Sequence, residues 1–104
     1  MNLKDVLSQR IVILDGAFGT MVQSLNLDES QFRGKMFVTH AVDLKGNNDV
    51  LNLTAPQAVR SIHDAYIEAG ADIITTNTFS SNVVSQSDYC LEEYVYRLNF
   101  EGAR

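Results

Sequence analysis

Between Thr54 and Phe79 a helix pattern stops at a glycine and runs at once into a β-branched stretch. That junction limits the chain to architectures in which helices and strands alternate. Thr54, with Gln57 three residues later, has the form of a capping box. Pro56 falls in the first turn, where its missing N–H costs nothing. Val59, Ile62, Tyr66 and Ala69 then recur as an apolar stripe at helical spacing. Gly70 is placed to end the helix in the left-handed conformation. Ala71 to Phe79 reads as a strand that ends in a polar mouth, Thr76-Asn77-Thr78.

A second unit of the same kind stands upstream. Ile11-Val12-Ile13-Leu14 is apolar on both faces, which suits a buried parallel strand. It stops at the turn signal Asp15-Gly16, and Met21, Val22 and Leu25 follow at helical spacing. Leu3, Val6 and Leu7 predict a short amphipathic helix over Asn2 to Gln9. Leu91, Tyr94, Val95 and Leu98 predict a last one from about Ser87 to the end. Asn26 to Asn48 shows no periodicity and reads as loop. The order helix, strand, helix, loop, helix, strand, helix implies an α/β fold with alternating parallel strands and right-handed crossovers. The pattern ends inside a helix at Gly102-Ala103-Arg104, so residues 1–104 are expected to be the N-terminal portion of a larger, here incomplete, domain.

Charge and cysteine content exclude several classes. The net charge is −5 and the 8 Lys and Arg are scattered, so there is no basic stripe for nucleic acid and no basic helix face for a membrane surface. No apolar run is long enough to span a bilayer, and the N-terminus does not read as a signal peptide. A single cysteine, Cys90, forbids an internal disulfide and suits a cytoplasmic location.

Chemistry in α/β folds sits where strands give way to helices. The first such end, Asp15-Gly16-Ala17-Phe18-Gly19-Thr20, joins a carboxylate to small residues and open amides. Glycine lets a ligand approach the backbone closely. The amides attract an anion, and Asp15 can pair with an ammonium. One strand end offering both suits a zwitterionic amino acid; the plainer alternative is a tight turn with Asp15 as a cap. Thr76, Asn77 and Thr78 could line the same mouth with neutral donors and acceptors, or simply cap the strand. Asn47-Asn48-Asp49 reads as a solvated turn. His63 and Cys90 read as packing residues, and His40 is isolated. None of the three has partners at metal-ligand spacing. Asn52-Leu53-Thr54 matches a glycosylation acceptor pattern by chance.

Leu14-Asp15-Gly16-Ala17-Phe18-Gly19-Thr20-Met21-Val22-Gln23 resembles the opening motif of the homocysteine S-methyltransferase family. Phe32-Arg33-Gly34, Leu44 to Asp49, Ile62 to Phe79, Asp88-Tyr89 and Tyr96 to Asn99 resemble later blocks in the same order. The Lys45-Gly46-Asn47-Asn48-Asp49 block tilts the resemblance toward the homocysteine-binding domain of the cobalamin-dependent, methionine synthase branch. A relative that takes its methyl group from betaine or S-methylmethionine is the alternative, as is a stand-alone binding domain without catalysis.

The resemblance implies the first part of a TIM-type (β/α)8 barrel. It also implies zinc that holds homocysteine as a thiolate, and methylcobalamin that donates the methyl group and is recharged by methyltetrahydrofolate. Separate downstream folate- and cobalamin-binding domains of the same polypeptide are then partners. Asp15 matches the family's motif aspartate, expected to hold the amino acid end of the substrate. Gly16, Ala17, Phe18, Gly19 and Thr20 are expected to face its carboxylate, and Thr76, Asn77 and Thr78 to line the pocket. The family's zinc cysteines lie downstream of these motifs, and Cys90 matches none. Neither metal ligands nor catalytic groups are therefore expected in these residues, which alone would be inactive and prone to self-association through exposed edges.

Overall fold

The structure, a computed structural model that describes residues 2–104, is predominantly helical. In chain order the described residues form α1 (Leu3–Leu7), α2 (Gly19–Ser24), α3 (Glu29–Arg33), α4 (Leu51–Thr54), α5 (Pro56–Glu68), α6 (Val83–Ser87) and α7 (Val95–Ala103). Single 3-10 turns at Asn48–Val50 and Glu92–Tyr94 lead into α4 and α7.

The expected alternation of parallel strands and helices does not form, and with it falls the reading as the first part of a (β/α)8 barrel. The two β-branched runs meet in one isolated parallel bridge, Leu14 with Ile73, and the described residues contain no sheet. The physical reason lies at the two ends of the bridge. At one end the Asp72 carboxylate accepts from the Ile13 amide at 2.9 Å and pairs with Arg10 at 2.9 Å. At the other end the Asp15 carboxylate accepts from the Thr75 amide at 2.8 Å. Side chains thus take the amides that a longer ladder would use. A two-stranded pair with no third strand has little to stabilise it further. Ile11, expected to be buried, is 85% exposed, and Leu14 is 63% exposed. Composition predicted strand where burial, its usual cause, is missing.

The core lies elsewhere. Val22 of α2, Phe32 of α3, Val50, Leu51 of α4, and Val59 and Ile62 of α5 pack together with Phe37, Leu44 and Leu91. Phe37 meets Tyr94 edge-on, with centroids 5.1 Å apart, a favoured aromatic geometry. The segment read as structureless loop is instead organised around one ion pair. Glu29 accepts from Arg33 at 2.7 Å and from the Leu44 and Lys45 amides at 2.8 and 2.7 Å. Arg33 also donates to the carbonyls of Phe37, His40 and Val42. Burial would raise the Glu29 carboxyl, but the two amides and Arg33 outweigh it and hold it below its ordinary value.

The long helix α5 forms as its pattern predicts, with one difference. Thr54 does not cap it: α4 already ends there, Ala55 is the N-cap without a side-chain bond, and Pro56 opens the helix. Gly70 closes it at φ +112°, with the Ala71 amide reaching back to the Tyr66 carbonyl at 3.0 Å. The predicted last helix is divided by Cys90 at φ +57°, which is exposed rather than packed. The molecule measures 52 × 26 × 18 Å with a radius of gyration of 15.4 Å. A compact chain of this length would have about 13 Å.

Candidate functional site

Asp15 closes the bridge. Its amide donates to the Ile73 carbonyl at 2.9 Å. Its carboxylate accepts from the Thr75 amide at 2.8 Å and from the Thr75 hydroxyl at 3.0 Å, one bond to each oxygen. An ionised carboxyl offers about four acceptor positions, so two remain. Asp15 is half-buried, which leaves those positions within reach of a ligand while Thr75 fixes the plane of the group.

The loop after Asp15 runs tightly along α5. A Cβ on Gly16 would come within 3.2 Å of the Tyr66 hydroxyl, so a larger residue would have to push that side chain aside by a few tenths of an ångström. Tyr66 in turn donates to the Ala17 carbonyl at 2.5 Å. Phe18 precedes α2 without capping it through a side chain, and its ring lies 5.8 Å from that of His63. Gly16, Ala17 and Thr20 are exposed, and Phe18 and Gly19 half-buried.

The second cluster divides. The Thr76 and Thr78 hydroxyls bond each other at 2.7 Å. Asn77 is instead buried, 5% exposed, and forms part of a polar network that sequence reasoning missed. Its Nδ2 donates to the Asn48 carbonyl at 2.8 Å and to Asn52 Oδ1 at 3.1 Å. Asn52 Nδ2 donates to the carbonyls of Asn77 and Leu98 at 2.7 and 3.1 Å. Beside it, Asp49 accepts from the Ser80 amide and the Ser81 hydroxyl at 2.9 and 2.6 Å. Asn47 pairs with Gln86 at 2.8 Å. Asn47-Asn48-Asp49 is therefore not a solvated turn: Asn47 and Asp49 are buried. One sequence signal for this was available. Asn52 interrupts the apolar run Val50-Leu51-Asn52-Leu53, and a polar residue on a core face requires partners. Its burial also removes it as a glycan acceptor.

A cavity of about 510 Å³ opens where the two clusters meet, with Phe18 and Gly19 on one side and Asn48, Asp49, Asn77 and Tyr89 on the other. Thr75 and Thr76 face a separate cavity of about 710 Å³ between α5 and α7, which His63 also lines. Asp15 stands outside both. The structure thus brings Phe18, Gly19 and Asn77 to one cavity, sends Thr76 to another, and bonds Asp15 to Thr75 outside both.

The donor set does not suit zinc. Among the described residues no three His, Cys, Asp or Glu side chains gather in a way that could hold a metal ion. His40 bonds the Tyr89 carbonyl at 2.7 Å, Cys90 is exposed, and the buried His63 Nδ1 lacks a hydrogen-bond partner. No helix among the described residues is long and apolar enough to cross a membrane.

The homocysteine S-methyltransferase family model matches residues 12–104, from the first β-branched run through α7. The chain belongs to the homocysteine S-methyltransferase family, which is a family of methyltransferases.

Proposed function

We propose that this chain holds the amino acid end of homocysteine within an enzyme of the methionine synthase type. In that reading methylcobalamin, recharged by methyltetrahydrofolate, supplies the methyl group, and the folate- and cobalamin-binding domains of one polypeptide are its partners in the cytoplasm. Membership of the family supports homocysteine as the methyl acceptor. The Lys45 to Asp49 block, of which Gly46 to Asp49 line the cavity and Asn47 and Asp49 are buried, supports the cobalamin-dependent branch, whose motif it resembles.

The observation that carries the reading is the doubly held Asp15 carboxylate. Thr75 spends two acceptor positions on orientation and leaves two for the ammonium of the substrate. Pre-orientation lowers the entropy that binding would otherwise cost. The segment from Gly16 to Thr20 then lies toward the carboxylate end, and Asn77 toward the interior. These residues bind and orient; they do not hold a metal or activate the sulfur.

Isothermal titration of L-homocysteine into the protein and into Asp15→Asn tests this. Loss of a charge-assisted contact of about 1.5–3 kcal/mol predicts affinity at least about tenfold weaker in the variant, more than any fall in the thermal midpoint accounts for. Equal losses of affinity and of melting temperature would instead make Asp15 a structural cap.

A further inference from the structure

We infer that the cavity of about 510 Å³ beside Phe18 is a site for a primary ammonium on an apolar carbon chain, with Asp49 as its counter-charge. Asp15 stands outside this cavity, so the site goes beyond the homocysteine reading and does not rest on it. Asp49 is 4% exposed and lines the cavity. Both hydrogen bonds to its carboxylate, from the Ser80 amide and the Ser81 hydroxyl, fall on Oδ2, at 2.9 and 2.6 Å. Oδ1 has no partner among the described residues. It is not sealed either, since the buried side-chain atom without a partner among those residues is His63 Nδ1. Neither the cavity between α5 and α7 nor the one beside Leu27 and Phe32 touches Asp49, so the space that Oδ1 reaches is the cavity beside Phe18.

The charge of Asp49 is unmatched. No Lys, Arg or His lines the cavity, and a second carboxylate, Asp88, does. Asp49 joins no ion pair among the described residues. A carboxylate taken out of water without a counter-charge is costly, and a cation from outside the chain offsets that cost. The walls decide which cation. Phe18, Phe79 and Tyr89 line the cavity, and aromatic walls favour an organic cation over a hydrated metal ion. An unbonded carboxylate oxygen calls for an N–H donor, which a primary ammonium has and a quaternary one lacks. The volume lies in the ordinary range of small-molecule sites, with room for a carbon chain behind the charge. A lysine side chain and a free alkylamine share this chemistry.

The test is an NMR titration with n-butylammonium, followed at the Ser80 and Ser81 amides. The controls are n-butanol, which is neutral, and tetramethylammonium, a cation without an N–H. The expected result is saturable binding of butylammonium, about tenfold tighter than either control. In Asp49→Asn, whose amide carbonyl still accepts from Ser80 and Ser81, that affinity falls about tenfold, and circular dichroism establishes that the variant folds. Phe79→Ala is the second variant. Its ring is 98% exposed, so the protein folds without it, and butylammonium binds several-fold more weakly. The methylamide of Nα-acetyl-lysine separates the two sources. Tighter binding than butylammonium assigns the site to a lysine of a polypeptide, and equal or weaker binding assigns it to a free amine; both uphold the ammonium. Butylammonium no tighter than n-butanol, or tetramethylammonium as tight as butylammonium, overturns the site. So does undiminished binding in folded Asp49→Asn, or in Phe79→Ala should the first variant fail to fold. Displacement of butylammonium by L-homocysteine overturns it as well, because the cavity would then belong to the substrate.

Discussion

Asp15 and Thr75 are joined by two hydrogen bonds, one to each carboxylate oxygen, at 2.8 and 3.0 Å. Beside them, Leu14 and Ile73 form the isolated bridge between the two β-branched runs of the described chain. The candidate binding group and the structural joint are therefore one unit, and substitutions at Thr75 separate the two roles. Thr75→Val removes the hydroxyl bond and keeps the amide bond. The expected outcome is a stability loss of about 1 kcal/mol in urea unfolding. Homocysteine affinity should fall several-fold more than that loss explains, because the carboxylate plane is freed. Unchanged affinity would show that Thr75 does not orient Asp15 for binding.

Arg10 and Asp72 guard the opposite end of the same bridge. The hydrogen bond from Arg10, with the Ile13 amide second, holds the Asp72 carboxyl below its ordinary value, and the same bond raises Arg10. A depressed acid contributes stability that is present above its unfolded value and is lost as pH falls through the folded one. In Arg10→Ala the bridge should loosen at a higher pH than in the wild type. Hydrogen exchange at the Asp15 and Ile73 amides reads this directly. Because both side chains are partly exposed, added salt should diminish the difference.

The helices were legible in the sequence from their apolar stripes, α1 included, although none of its residues is buried. Val22, Val59, Ile62 and Leu98 were placed by spacing alone and are buried. The strands were not, because a β-branched run such as Ile11 to Leu14 becomes a sheet only when neighbours cover it, and spacing says nothing of neighbours. Of the site, the position of Asp15 at a strand-to-loop junction was legible. Its grip by Thr75 was not, since that contact joins residues 60 apart. The Asn52–Asn77 pair was hidden for the same reason, although a lone Asn among leucines announced that some partner was needed.

Cys90 holds a left-handed backbone at φ +57° on the exposed surface between α6 and α7. A side chain in that region costs roughly 1–2 kcal/mol, a cost glycine avoids. Cys90→Gly should therefore stabilise the protein by about 1 kcal/mol and raise the thermal midpoint by roughly 4 °C or more. Cys90→Ala, which removes the thiol and keeps the Cβ, should leave the midpoint where it is. Calorimetric melts of the pair separate backbone relief from any contribution of the sulfur.

Glu29 gives the clearest acid dependence. Burial acts to raise its carboxyl, but the amides of Leu44 and Lys45 and the guanidinium of Arg33 prevail and lower it. In the unfolded chain the group titrates at the ordinary value of a glutamate. The sign follows from linkage: above that pH both states are ionised and the full stabilisation is present. As pH falls through the depressed folded value, the native state must take up a proton and the advantage is lost. Glu29→Gln keeps the shape and cannot ionise, so its stability should be lower than wild type at neutral pH. The two should converge as the pH is taken well below 4. The segment between α3 and α4 should loosen first, seen as faster exchange of the Leu44 and Lys45 amides. A wild-type-minus-variant difference that is flat from pH 7 downward would mean that the charge of Glu29 does not anchor this segment.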